Sequence, residues 1–368
     1  MKIVVLSSHT ESLFWFRLDM MIEFVKANHK VIAVGPGNSD KWFPKFNELG
    51  IDYKQIQVSR NGLNPLQDFK TFIELKNLFG ELNPDKIFVY QAKTIVYGCL
   101  AAKINGITEI YPLVAGLGSI FRGKGIKNKI VKEIMKFQYK LSFKQSQTVI
   151  FQNSDDLNEF VSLKLVDKDK TIIINGSGVN MNKFTPEPLP SKPAFLYIGR
   201  LIKDKGIGEY LEACKAIKKK YKHVRCLLVG PFDSNPSALS PKELQPYIDD
   251  RIVEYLGEQS DVRPFISMCS TFVLPSYHEG TPKTVLESMA MARAIITTDA
   301  PGCRETVIEG KNGFLVPVED VNTLIERMEY LILNPEINQQ MGGHSLDIAR
   351  SKYDVKIINK AILDIMKL

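Results

Sequence analysis

Short, nearly unbroken apolar runs alternate along the chain with longer stretches in which apolar residues recur every three or four positions. The first pattern marks strands buried on both faces, the second helices with one buried face. Read in order, the first half predicts a strand at 2–7, a loop over 8–13, a helix at about 16–28, a strand at 31–34 and a turn at Gly35-Pro36-Gly37. A helix at 41–49, a strand at 53–58, a helix at 68–78 and a strand at 86–90 follow, and strands at 148–151 and 171–174 close this half. Strictly alternating strands and helices imply a parallel sheet covered on both sides.

The segment Thr185-Pro-Glu-Pro-Leu-Pro-Ser-Lys-Pro193 interrupts this rhythm with four prolines, which suit a stiff linker. Beyond it the rhythm resumes, with strands at 194–198, 226–229, 252–256 and 271–274, a helix entered at Pro282, and helices at 321–333, 335–350 and 355–368. The expected fold class is therefore α/β with two Rossmann-like domains: residues 1–184, a linker at 185–193, and residues 194–352. The last helix, 353–368, is expected to cross back to the first domain. A length of 368 residues agrees, being too long for one ordinary core.

With 44% apolar, 24% charged and 10% aromatic residues, the composition is that of a globular protein. No apolar run approaches the roughly 20 residues of a membrane-spanning helix, and the strand-like start does not resemble a signal peptide, so a cytoplasmic location is expected. Five scattered cysteines without a Cys-x-x-Cys spacing indicate neither a disulfide framework nor a zinc site. The formal charge is +7, and the stretch from Arg122 to Lys144 alone holds eight Lys/Arg against one acid, Glu133.

The chemistry concentrates at two places in the second half. After the strand at 271–274 comes a polar turn with Glu279 and Gly280, and then the helix start at Pro282. Helix N-termini leave donors unpaired and favour negative charge, so this junction suits an anion. Glu279 and Glu287 flank it with seven residues between them; carboxylates accept well from sugar hydroxyls. A diphosphate with hydroxylated groups at either end, a nucleotide sugar, fits the pattern, although Glu287 alone reads equally well as an exposed helical residue. The second place is Gly199-Arg200-Leu-Ile-Lys-Asp-Lys205-Gly206, where two cations stand at a strand-to-helix junction.

The block Glu279-Gly-Thr-Pro-Lys-Thr-Val-Leu-Glu287, followed by Ala294-Ile-Ile-Thr-Thr-Asp and Gly302-Cys-Arg-Glu305, resembles the E-x7-E block of family 4 retaining glycosyltransferases, whose fold is GT-B, two Rossmann-like domains facing across a cleft. The resemblance implies that Glu287 holds the ribose hydroxyls and that Glu279 approaches the transferred sugar. It further implies that amides near Gly280, Thr281 and Thr284 face sugar and phosphate, and that Arg200 and Lys205, with Gly199 beside them, hold the diphosphate of a UDP-sugar. The nucleobase is expected near the loops at 230–237 and 257–263, where Ser260 or Asp261 could cap a helix. No cofactor or metal is implied; Asp167-Lys-Asp169 precedes a strand without further ligands and reads as a solvated turn. A nucleotide-sugar 2-epimerase on the same fold is the alternative enzyme.

Gln91-Ala-Lys-Thr-Ile-Val-Tyr-Gly and Leu113-Val-Ala-Gly-Leu-Gly-Ser-Ile-Phe resemble the subgroup that adds sugars to undecaprenyl-diphosphate-linked glycans, N-acetylgalactosaminyltransferases among them. A lipid-linked saccharide is thus the implied acceptor, and an N-acetylhexosamine, GalNAc in particular, the implied sugar. Many family members have a histidine near Ala92; here Gln91 and Lys93 stand instead, and no catalytic histidine is assigned. Gly116 and Gly118 suit a tight turn or a backbone lining of the site. The first loop, Ser8 to Ser12, has no glycine, which disfavours a backbone approach to pyrophosphate there, and the family places the acceptor on that side. Ala292 stands where the family often has glycine, which predicts an ordinary right-handed or extended backbone.

Within the basic segment, Lys129, Lys132, Lys136, Lys140 and Lys144 recur at helical spacing among Ile126, Ile130, Ile134, Phe137 and Leu141. They read as a solvated face or as a dock for anionic lipid headgroups at the inner face of the cytoplasmic membrane. The aromatics there form no stacking platform, so nucleic acid is not expected.

Overall fold

A computed structural model describes residues 1–58, 64–116, 126–235 and 237–368. Gly118, Arg122 and Lys124 lie outside the described residues. The contacts divide the chain into two compact units, residues 1–177 with 355–368, and residues 178–354. The proline-rich segment 185–193 groups with the second unit, and the C-terminal helix with the first.

The first unit contains β1 (Lys2–Leu6), α1 (Thr10–Phe16), α2 (Leu18–Lys26), β2 (Lys30–Gly35), α3 (Ser39–Asn47), β3 (Ile51–Gln55) and α4 (Pro65–Leu82). Then come β4 (Lys86–Tyr90), α5 (Ala92–Ile104), β5 (Glu109–Val114), α6 (Ile126–Lys144), β6 (Val149–Phe151), α7 (Ser154–Ser162) and β7 (Thr171–Ile173). The strands form a parallel sheet in the order β3-β2-β1-β4-β5-β6-β7. Every residue of β4 is buried, as a strand covered on both faces must be. One face packs Leu75, Phe79, Cys99 and Phe143 from the helices; the other packs Leu13, Met21 and Phe24, with Ile358, Ile362 and Met366 from the C-terminal helix.

The expected loop over 8–13 is instead largely helical, because residues 10–16 form α1. Polar residues in this run are held by tertiary bonds: Thr10 Oγ1 lies 3.1 Å from the Tyr53 hydroxyl, and Ser12 Oγ 2.8 Å from that of Tyr90. Polar alternation read along the chain does not reveal such partners.

The second unit holds β8 (Ala194–Ile198), α8 (Ile207–Lys220), β9 (Arg225–Val229), α9 (Pro241–Asp249), β10 (Glu254–Tyr255), α10 (Arg263–Ser267), β11 (Thr271–Leu274) and α11 (Lys283–Ala290). It ends with β12 (Ala294–Thr298), β13 (Gly313–Val316), α12 (Val321–Leu333), α13 (Pro335–Ile348) and a π-helical turn at Ala349–Tyr353; α14 (Val355–Met366) then joins the first unit. Its parallel sheet runs β10-β9-β8-β11-β12-β13. Strand order therefore reverses between β1 and β4 in the first unit and between β8 and β11 in the second. In open α/β sheets, ligands bind at such reversals, beyond the carboxyl ends of the strands.

Ala292 corrects one expectation, since its φ is +60°, in the left-handed region. It follows the C-cap of α11, and the helix ends in a Schellman motif: the Ala292 amide donates to Met289 O at 3.0 Å and the Arg293 amide to Ser288 O at 3.0 Å. The helix stop sets the backbone here, and the methyl group is tolerated at a cost. The next residue, Arg293, is fully buried and donates to the carbonyls of Ile266 (2.9 Å), Met291 (2.9 Å) and Glu187 (2.7 Å). This arginine fastens the proline-rich segment to the second unit.

Candidate active site

The strand reversal in the second unit brings the loop after β8 against the loop after β11. Asp204 O accepts from the Tyr277 amide at 3.0 Å and from Ser276 Oγ at 3.2 Å. Gly206, with φ +71°, sits so close to Pro275 that a Cβ would overlap the proline carbonyl. Gly302, at φ +79°, similarly abuts the carbonyl of Glu279. The first approach holds the loop after β8 against that after β11, and the second holds the loop after β12 against that same β11 loop.

The predicted cations and carboxylates meet here. Lys205 Nζ donates to Glu279 Oε1, with both side chains largely buried. Arg200 forms an ion pair with Asp233 at 2.9 Å and remains partly exposed. Asp233 is fixed in turn, its Oδ1 accepting from the Asn235 amide at 2.8 Å. Beneath both loops lies buried Tyr197, whose hydroxyl donates to Arg200 O at 3.1 Å; burial, reinforced by the charge of Glu279, holds its phenol far above the usual range. Each cation thus faces one carboxylate, which favours its charged form.

Glu287 lies in the second turn of α11 and is 7% exposed. Burial raises its carboxyl to about 7; Lys283, 3.8 Å away, opposes this and the charge of Asp261 adds to it. Thr284 stands in the first turn, where its amide has no acceptor within the helix, and its hydroxyl reaches Ile198 O at 3.4 Å. Gly280 and Thr281 occupy the turn before it, and Gly199 follows β8 with its amide on Val229 O at 3.1 Å. The structure therefore gathers Gly199, Arg200, Lys205, Glu279 and Thr284 at one sheet edge, with Glu287 one helical turn further in.

Sequence reasoning missed the individual partners Asp233 and Lys283. Asp233 sits in the loop expected to lie near the nucleobase, but nothing in its local sequence marks it as the mate of Arg200. Lys283 was legible through its four-residue spacing from Glu287. The cap expected from Ser260 or Asp261 takes another form: Val262 is the N-cap of α10, while Asp261 Oδ1 accepts from the Arg263 amide at 3.0 Å.

In the first unit Gln91 ends β4's run and caps α5 with φ +73°, and its side chain bonds to Ser7, Ser8 and Ser12. Lys93 pairs with Asp68 at 2.7 Å. On α6 four apolar side chains along one side are exposed, Ile130, Ile134, Phe137 and Leu141 at 58%, 52%, 64% and 37%. Lys129, Lys140 and Lys144 are exposed, whereas Lys132 and Lys136 are half-buried and Lys136 pairs with Glu133 at 2.7 Å. Among the described residues no cluster of His, Cys, Asp or Glu is placed to hold a metal ion, and no helix is long and apolar enough to cross a membrane. All five cysteines are free and buried.

The two parallel-sheet units are those of a GT-B fold, and solved structures of that kind align over the whole chain. Sucrose-phosphate synthase from Thermosynechococcus elongatus superposes with a TM-score of 0.82 at 18% identity, covering 100% of this chain and 98% of its own. HepE of Anabaena, in complex with UDP and glucose, gives 0.78 at 15% identity, covering 100% and 99%. The model of glycosyl transferases group 1 matches residues 192–334, and that of glycosyl transferase 4-like domains matches residues 2–153. The N,N'-diacetylbacillosaminyl-diphospho-undecaprenol alpha-1,3-N-acetylgalactosaminyltransferase of Campylobacter jejuni is 31% identical over 99% of this chain and 97% of its own length. A capsular polysaccharide glycosyltransferase, CapM of Staphylococcus aureus, is 25% identical over 84% and 85%. The chain belongs to this family and is a glycosyltransferase.

Proposed function

We propose that the enzyme transfers an N-acetylhexosamine, GalNAc by its likeness to the Campylobacter enzyme, from a UDP-sugar to an undecaprenyl-diphosphate-linked glycan, with retention at the anomeric carbon. The observation that carries this reading is the meeting of Arg200, Lys205 and Glu279 at the strand reversal of the second unit, with the buried carboxylate of Glu287 beside them. The two cations and the α11 N-terminus receive the diphosphate, and Glu287 accepts from the ribose hydroxyls. As the anomeric C–O bond breaks, its electron pair passes to the β-phosphate oxygen, where Arg200 and Lys205 stabilise the growing charge. The acceptor hydroxyl oxygen bonds to the same face of the anomeric carbon, and its proton passes to the departing phosphate. Glu279 orients the donor sugar, and Lys205 holds Glu279. No metal is assigned a role.

The same reading places the enzyme at the inner face of the cytoplasmic membrane. The α6 ridge of Ile130, Ile134, Phe137 and Leu141 enters the headgroup region, and Lys129, Lys132, Lys136 and Lys140 supply attraction to anionic lipid.

The decisive variant is Glu279→Ala. It is expected to lower kcat by about 10²-fold or more, with a lowered melting temperature because Lys205 loses its partner, while the folded circular-dichroism spectrum is kept at the assay temperature. Turnover at the wild-type rate would remove Glu279 from the mechanism.

A further inference from the structure

Arg17 joins α1 to α2 and is 3% exposed. Its guanidinium carbon lies 5.5 Å from the centre of the Phe88 ring and 5.2 Å from that of Tyr90. Nε is sealed from solvent and has no hydrogen-bond partner, and among the described residues no carboxylate pairs with this side chain. Cation–π contacts, even when desolvated, return less than a buried charge without its mate costs. The aromatic rings alone do not balance the burial. Desolvation correspondingly draws the Arg17 pKa down to about 10, which leaves it charged at neutral pH.

The position of this cation matters. Phe88 and Tyr90 belong to β4, and β1 and β4 flank the strand reversal of the first unit, where ligands bind in open α/β sheets. Beside it stands a second anomaly, Gln91, a non-glycine residue at φ +73°, ψ 143°. Its Oε1 accepts from Ser8 N at 2.8 Å and from Ser8 Oγ at 2.7 Å, while Nε2 donates to Ser12 Oγ at 3.2 Å, which in turn meets the Tyr90 hydroxyl. Strained backbone of this kind persists where surrounding contacts over-determine it, and it concentrates at ligand sites.

We propose that Arg17 is the anchor of an anion site at the β1–β4 edge, taking a phosphate-type oxyanion on its planar fork. Guanidinium matches phosphate geometry bidentately, and an arriving anion would supply the missing mate. On the transferase reading above, on which this assignment of the ligand rests, Arg200 and Lys205 are committed to the donor diphosphate. The acceptor's diphosphate then requires a cation of its own, and Arg17 provides it.

The test is calorimetric titration of inorganic pyrophosphate into the full chain, with UDP saturating the donor site, for wild type, Arg17→Lys and Arg17→Met. Arg17→Met is expected to weaken pyrophosphate binding by roughly tenfold or more and Arg17→Lys by less. Without the anion, Arg17→Met is expected to melt at or above the wild-type temperature, since an unpaired buried charge has gone. Equal pyrophosphate affinity in wild type and Arg17→Met would overturn the proposal. Should Arg17→Met fail to fold, Arg17→Lys decides: weakened binding supports the site and unchanged binding overturns it. The transferase reading fails separately, by absence of UDP binding; the titration is then repeated in an Arg200→Met background, where the pyrophosphate response still reports on Arg17. With a prenyl-diphosphate sugar as acceptor, a raised KM in Arg17→Lys assigns the site to the acceptor, and an unchanged KM alongside lost pyrophosphate binding assigns it to free phosphate.

Discussion

Glu287 is a carboxylate placed where its charge is disfavoured. Burial raises its pKa from 4.5 to about 7, and Lys283 recovers only part of the loss. Between these values the folded chain holds a proton that the unfolded chain has released, so stability falls as pH rises through this window. The effect is absent below the unfolded value and complete above the folded one, and it amounts to on the order of 3 kcal/mol. Glu287→Gln is therefore expected to raise denaturant stability at pH 8 and to leave it unchanged at pH 4. The ionised carboxylate is what accepts from two ribose hydroxyls on the proposed reading. UDP affinity should accordingly weaken as pH falls from 8 to 6, and Glu287→Gln should bind more weakly without that pH dependence. A pH-independent wild-type affinity, measured by calorimetry, would detach Glu287 from the nucleotide. At this scale the spacing of Glu279 and Glu287 leaves Glu287 equally readable as an exposed helical residue, whereas it is buried. Only the resemblance to the E-x7-E block singles out these glutamates and cations, and what the structure adds is that Lys205 meets Glu279. Asp233 and Arg17 are not legible in the sequence, since their significance lies in what surrounds them in space.

At the scale of elements, apolar runs locate the buried strands well: the runs 86–90, 194–198 and 271–274 predict strands and form β4, β8 and β11. Burial on both faces leaves little room for polar residues, so the pattern is hard to mistake. Helices under tertiary control were less visible. α1 starts six residues before the expected helix and breaks at Arg17, and α7 went unread. The end of α11 was misread through Ala292, where the methyl group suggested ordinary backbone and the Schellman motif imposes φ +60°. Left-handed backbone costs an L-residue roughly 1–2 kcal/mol, against less than about 1 kcal/mol for glycine's extra freedom when unfolded. Ala292→Gly should consequently be neutral or stabilise by up to about 1 kcal/mol in urea denaturation. A loss of more than that would mean the methyl group makes contacts that outweigh the strain.

For the whole molecule, two parallel-sheet units were readable because strands and helices alternate twice across a chain too long for one core. Assignment of the boundary was harder: the proline-rich segment looks like a linker, yet Arg293 ties it to the second unit. On the proposed reading the exposed α6 ridge is the membrane contact. Phe137→Asp with Ile134→Asp should move the protein from the pellet to the supernatant in sedimentation with anionic vesicles, with melting unchanged because both side chains face outward. Undiminished pelleting would assign membrane contact elsewhere. The central claim is transfer from a nucleotide sugar at the Arg200–Lys205–Glu279 junction, and its most direct measurement is UDP release from a panel of UDP-sugars, with and without an undecaprenyl-diphosphate-linked saccharide, in EDTA, for wild type and Glu279→Ala. The account predicts acceptor-dependent UDP release that survives EDTA and is lost in Glu279→Ala. Conversion of the sugar nucleotide without acceptor, as by a 2-epimerase, or full transfer by Glu279→Ala, would contradict it.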